Sequence, residues 1–154
     1  MDKNLKIVET LLDDVYELAP KLRQDDINEL QALGLTPSQS LLRGFVMSEE
    51  CYSIKKQNKI VAMFGVSSSN MPKGWGSIWF LGSDEMTKHP IFFVKEGRKW
   101  INKFLQKYDI IINAVDSRNI SHINWITRVG LSLSNPIIIN GYKFLQFYGV
   151  KNKE

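Results

Sequence analysis

Hydrophobic and polar positions change their period several times along this chain, and each change marks an element. Leu5–Thr10 reads as a short strand. Leu11, Leu12, Val15, Leu18, Ala19 and Leu22 then recur at helical spacing, with Thr10 and Asp13 offering N-terminal capping and Pro20 placed to bend or end the helix. Asp25 is placed to cap a second short helix whose apolar face is Ile27, Leu30 and Leu33, stopped by Gly34. Thr36-Pro37 has the cap-then-proline pattern that opens a helix, and this third helix runs through Leu41, Leu42, Phe45 and Val46.

From Glu50 the period becomes strand-like. Cys51–Lys56 and Lys59–Ser67 flank Gln57-Asn58, a tight hairpin turn. Ser77–Gly82 is another strand, preceded by a Gly- and Pro-containing loop at Met71–Gly76. Pro90 opens the longest helix, with Phe93, Gly97, Trp100, Ile101, Phe104 and Tyr108 on its apolar face. Ile110–Val115 is nearly all apolar, the pattern of a central strand buried on both faces. A helix from Asn119 to Val129 ends at Gly130, and Leu131–Ile139 and Tyr142–Val150 meet at Asn140-Gly141, the strongest hairpin signal in the chain.

Composition narrows the picture without changing it. The 154 residues suit one domain, and 44% apolar with 23% charged residues is ordinary for a soluble globular protein. The longest apolar runs, Ile110–Ile112 and Pro136–Ile139, are too short to span a bilayer, so no membrane segment is expected. Met1-Asp2-Lys3-Asn4-Leu5 lacks the apolar run of a signal peptide. Cys51 stands alone and the histidines are two, His89 and His122, so neither an internal disulfide nor a metal site is expected. A net charge of +4 permits nucleic-acid contact without arguing for it.

Asn119, His122, Ile126, Gly130 and Leu131 reproduce every interval of the Asn-x-x-Ala-x-x-x-Tyr-x-x-x-Gly-Phe helix of GNAT acyltransferases. The small residue is His122, the usual catalytic tyrosine is Ile126 and the phenylalanine is Leu131. Together with the element order, this resembles the GNAT fold along essentially the whole chain. The resemblance implies one α+β GNAT-like domain over residues 1–154, a mixed sheet of six or seven strands with helices on both faces. It also implies a Gln/Arg-x-x-Gly-x-Gly/Ala loop to hold a pyrophosphate, and here that place reads Asp84-Glu85-Met86-Thr87-Lys88-His89-Pro90-Ile91-Phe92, without glycine. Lys88 and His89 offer charge there but no backbone cradle, so no cofactor is expected.

A closer resemblance is to internal virion proteins of short-tailed, podovirus-type phages, which have a GNAT-like fold. Its residues are Asp26-Ile27-Asn28-Glu29-Leu30, Ala32 to Ser38, Ser40-Leu41-Leu42, Ile78 to Asp84, Arg98-Lys99-Trp100-Ile101, Asp116-Ser117-Arg118-Asn119 and Ser121 to Trp125. This resemblance implies a virion or morphogenesis role through protein–protein contact. Other phage virion or assembly proteins would be the partners, in the virion interior or in the host cytoplasm during assembly.

The enzymatic alternative is an N-acetyltransferase moving acetyl from acetyl-CoA to an amine. In that case Asp84, Glu85 or His122 would carry the acid–base chemistry, and the Leu81–Gly82 backbone and Asn119 would contact CoA. The plainer readings are a solvated turn for Asp84-Glu85 and a hydrogen-bonded structural histidine for His122, near Asn119, Ser121 and Asn124. Lys95, Lys99, Lys103 and Lys107, joined by Arg98, form a basic stripe that suits DNA or an acidic partner, or simply the wet face of a helix. Trp79, Trp100 and Trp125 belong in a core or a cleft, Trp75 in an exposed loop, and Cys51 reads as buried and inert.

Overall fold

A computed structural model of the chain describes residues 4–152. The strands are β1 (Leu5–Glu9), β2 (Glu50–Lys56), β3 (Lys59–Ser67), β4 (Trp75–Gly82), β5 (Ile110–Asp116), β6 (Ser132–Ile139) and β7 (Tyr142–Val150). The helices are α1 (Leu12–Leu18), α2 (Gln24–Ala32), α3 (Pro37–Met47), α4 (Pro90–Lys107) and α5 (Ile120–Arg128), with short 3₁₀ turns at Ala19–Lys21 and Asp84–Lys88. All seven strands join one sheet in the order β1-β2-β3-β4-β5-β7-β6, antiparallel throughout except for the parallel β4–β5 pair. The α+β class and helices on both faces are as expected, and the strand number is seven.

Each sheet face buries its own core. Val15, Leu18, Leu30 and Leu41 of the first three helices close over Met63 and Leu81. On the other face, Phe93, Ile101 and Phe104 of α4 and Ile126 of α5 pack on Phe64, Ile78, Ile111 and Phe147. Both two-residue hairpins carry the positive φ values their turns demand, 51° and 65° at Gln57-Asn58 and 50° and 82° at Asn140-Gly141.

Local chemistry departs from expectation at the helix starts. Thr36 caps α3 as expected, accepting from Gln39 N–H at 3.2 Å. Asp14, not Asp13, serves the start of α1 by accepting from Leu11 N–H at 3.0 Å, while the Thr10 hydroxyl is 2.9 Å from Ser53 Oγ. Arg23, not Asp25, stands at the N-cap of α2. Trp75 is half-buried and opens β4 opposite Ile110 rather than lying in an exposed loop. Cys51 is half-buried in β2, its thiol pushed up by burial and donating to Thr10 Oγ1 at 3.4 Å. β5 is not sealed on both faces: Ile111 and Val115 are buried, but Ile112 is half-buried, as is Ala114, which lines a cavity.

Candidate functional site

The parallel β4–β5 ladder stops after three pairs, Trp75↔Ile110, Gly76↔Ile111 and Ser77↔Ile112. Asn113 ends it, donating its side-chain N–H across the gap to Ile78 O and accepting the Ala114 N–H on its Oδ1 at 2.8 Å. β4 goes on pairing with β3 to Gly82, and Ser83 N–H donates to Val61 O at 2.9 Å. That alternation turns the backbone groups of Ile78, Phe80 and Gly82 toward the β5 side. Beyond Asn113 the two strands therefore face each other across a cleft.

The cleft encloses about 370 Å³ and passes between the strands from one sheet face to the other. Trp79 lines the α3 side, with its indole N–H bound to Ser48 Oγ at 2.8 Å. Phe80, Trp100 and Trp125 line the other side, and Trp125 donates to Phe93 O at 3.0 Å. Gly44 and Gly65 let Trp79 lie flat, since a Cβ on either would come within 2.6–2.9 Å of the indole. Polar groups are interspersed on these walls, among them Asn113, Glu29, Glu96, His122 and Arg43. A predominantly apolar space of this size with aromatic walls and some polar groups is the usual form of a small-molecule site.

The far ends of the two strands are tied together by α2 rather than by each other. Asp26 accepts from Gly82 N–H at 3.1 Å and from Arg23 at 2.9 Å, while Arg23 N–H donates to Gly82 O at 2.9 Å. Glu29 accepts from Asp116 N–H at 2.9 Å, and Asn119 donates to Asp26 at 3.2 Å and to Glu29 at 3.5 Å. Arg23 also reaches Ser121 Oγ at 2.8 Å, and Arg118 grips Asp116 at 2.6 Å. Asp26, Asp116 and Asn119 are all at most 2% exposed, so the centre of this latch is a buried polar network, with Arg118 and Ser121 at its exposed rim. Buried polar groups of this kind are held by their hydrogen bonds.

Burial sets the acid–base character of the cleft. It raises the Glu29 carboxyl to about 7, helped by the charges of Asp26 and Asp116 and opposed by the Asp116 N–H and Asn119 bonds. It lowers His122 to about 4, with Arg23 lowering it further and Asp26 opposing. His122 is 9% exposed, lies beside Phe80 and Trp125, and has no hydrogen-bond partner at Nδ1. The expected hydrogen-bonded structural histidine is thus a neutral imidazole with an unmatched nitrogen. Desolvating such a nitrogen without a partner costs about 1–3 kcal/mol.

The other expected site residues lie elsewhere or are engaged. Asp84 is exposed in the 3₁₀ turn, and Glu85 bonds Lys56, His89 and Lys88 at 3.1, 3.1 and 3.3 Å. Those bonds hold the Glu85 carboxyl at about 2, Lys56 first and His89 next. Neither residue lines the cleft. Along α4, Lys99 pairs with Glu96 at 3.6 Å, Lys107 with Glu50 at 2.7 Å, Lys103 sits over Trp100, and Arg98 donates to Arg128 O; Lys95 is exposed. Glu29 was missed as a site residue. Its signal was the Asp26/Glu29 spacing, which puts two carboxylates on one helix face.

No protein-family model matches the chain, and no curated protein does. Solved structures do. A GNAT-family acetyltransferase from Bacillus anthracis superposes with a TM-score of 0.72 at 9% identity, covering 99% of this chain and 98% of that one. AAC(6')-Ib in complex with ribostamycin and coenzyme A gives 0.71 at 10% identity over 97% and 94%. A GNAT-family acetyltransferase from Streptococcus pneumoniae gives 0.62 at 12% identity over 96% and 99%. This chain has the GNAT fold.

The GNAT fold implies CoA, and the residues present fit it poorly at its diphosphate end. Residues 83–92 contain no glycine, and Pro90, which opens α4, has no N–H. Both backbone polar groups of Gly82 are taken by Asp26 and Arg23, and the Asn119 side-chain N–H groups are committed to Asp26 and Glu29. A Cβ at Gly82 would collide with Met86 Sδ, so protein already fills the close approach to that backbone. Lys56 and Lys88 share the single carboxylate of Glu85.

Proposed function

We propose that this chain transfers an acyl group from a thioester donor to an amine within the β4–β5 cleft. The observation that carries the reading is the cleft itself: an aromatic-walled space of about 370 Å³ beside the β4 edge, in a GNAT fold. The neighbours support acyl transfer, since those from B. anthracis and S. pneumoniae are acetyltransferases and AAC(6')-Ib was solved with CoA. In this reading Phe80 N–H, turned toward the cleft, meets the carbonyl oxygen of the donor. Glu29, held through Oε1 by Asp116 and titrating near neutrality, takes the proton as the amine nitrogen bonds to the acyl carbon. The C–S bond breaks, and the proton passes on to the leaving thiolate.

The test is thiol release from an S-acetyl thioester in the presence of a mixture of primary amines. Turnover rises with pH through about 7 as Glu29 ionises. Glu29→Gln, which keeps the shape and an acceptor for Asp116, loses about 10²–10⁴-fold in kcat. A variant with unchanged turnover and pH profile contradicts the assignment.

A second reading, contact with other proteins of a phage particle, rests on the sequence resemblance alone. Residues that carry the phage resemblance, Asp26, Asn28, Glu29, Asp116, Arg118, Asn119 and Ser121, meet in a single network around the latch. Co-sedimentation of the tagged chain with particles from infected cells supports this reading, and its complete absence from purified particles contradicts it.

A further inference from the structure

We infer that the cleft selects its acyl donor by the acyl arm alone, so that an uncharged pantetheine-type thioester is bound as well as its CoA counterpart. The inference rests on the acyl-transfer reading and names the class of donor that the reading leaves open. Two independent features point to it, one at each end of the cleft.

At the end where a nucleotide diphosphate would lie, nothing is built to receive it. The 83–92 segment has no glycine, and the Gly82 backbone is closed by Asp26 and Arg23. The nearby cations are held by Glu85, whose low pKa keeps it ionised throughout the physiological range. Asp84 adds a second carboxylate, exposed, in the same turn. Two lysines and two carboxylates leave this turn with no net charge to attract a diphosphate.

At the inner end the opposite holds. His122 is buried and neutral, and its Nδ1 lacks a partner although the ring lines the cavity. Around it stand Phe80 and Trp125, with Asn113 on the facing strand. Such a wall suits an apolar chain with neutral polar groups, which brings no charge into a desolvated space. An acylated pantetheine arm has this composition: apolar methylenes, amides and no net charge.

Trp79, Trp100 and Trp125 line the cleft, so intrinsic fluorescence reports occupancy without any turnover. Titrations with S-acetyl-pantetheine and with acetyl-CoA are expected to give dissociation constants within about threefold of each other, unchanged between low and high salt. His122→Phe, which keeps an uncharged ring of similar shape on the wall, is expected to hold S-acetyl-pantetheine within about threefold of the parent's affinity. Because that variant changes a buried position, its melting curve is compared with the parent's. Lys88→Glu, an exposed change that leaves the core untouched, keeps acetyl-CoA affinity within about twofold. Acetyl-CoA binding that is tenfold tighter, salt-sensitive and lost in Lys88→Glu overturns this inference and leaves the acyl-transfer reading standing. No quenching by either thioester at millimolar concentration overturns both.

Discussion

Glu29 and His122 line the same cavity, and burial drives both toward their neutral forms, one by raising and the other by lowering its pKa. The consequences for stability have opposite signs. A carboxyl raised from 4.5 to about 7 binds more protons in the folded state, so its contribution is full below pH 4.5 and is lost as pH climbs through 7. Glu29→Gln is therefore expected to leave stability near pH 4.5 almost unchanged and to raise it at pH 8, by up to about 3 kcal/mol. Thermal melts of both proteins across pH 4.5–8 check this, and equal offsets at every pH contradict it. His122 runs the other way: its folded pKa of about 4 lies below the usual 6.5, so stability is lost as pH falls from 6.5 through 4. His122→Phe should flatten that acid limb. The histidine was visible in the sequence as a titratable group on a helix. That its Nδ1 has no partner was not, because this depends on what the fold packs around the ring, here Phe80 and Trp125.

At the level of elements, α2 does more than cover the sheet. Its Asp26 and Glu29 close the hydrogen bonds that the diverging ends of β4 and β5 cannot make to each other. The Arg23–Asp26 pair is 9% and 1% exposed, so removing one partner strands a buried charge. Asp26→Ala is expected to cost about 3–5 kcal/mol in a denaturant melt, whereas Lys95, Lys99 and Lys103 changed together to Gln should cost less than about 1 kcal/mol, as exposed pairs do. Similar losses for the two variants would contradict the latch. The helices and hairpins themselves were legible from Phe93, Trp100 and Phe104 on one face of α4 or from Asn140-Gly141, since period and turn chemistry are local. The starts of α1 and α2 were not, because several acidic residues compete there and tertiary partners choose among them: Lys55 holds Asp14 at 2.9 Å, and Arg23 holds Asp26. Nor was the cleft, since the apolar run Ile110–Val115 reads as a sealed strand until Asn113 is seen to end the ladder.

On the scale of the whole molecule, the GNAT fold provides the splayed pair of strands, and this sequence has altered what surrounds them. The Asn119 and Gly130 spacing survives and places α5 against the cleft. Ile126, where the resemblance expects a catalytic tyrosine, is a fully buried core residue. The diphosphate end is closed by α2 and the 3₁₀ turn, while the inner end keeps an aromatic cavity with Glu29 and His122 on its walls. The account's central claim is that this cavity is the working site of the chain. A thermal-shift titration with S-acetyl-pantetheine, run on the parent and on Ala114→Phe, tests it most directly, since Ala114 lines the cavity and a phenyl ring there would fill it. At a hundred times its dissociation constant a ligand adds about 2.7 kcal/mol, a rise of several degrees for a domain of this size. The account predicts a saturable rise in the parent that is lost in Ala114→Phe. No rise in the parent, or an equal rise in both proteins, would contradict it.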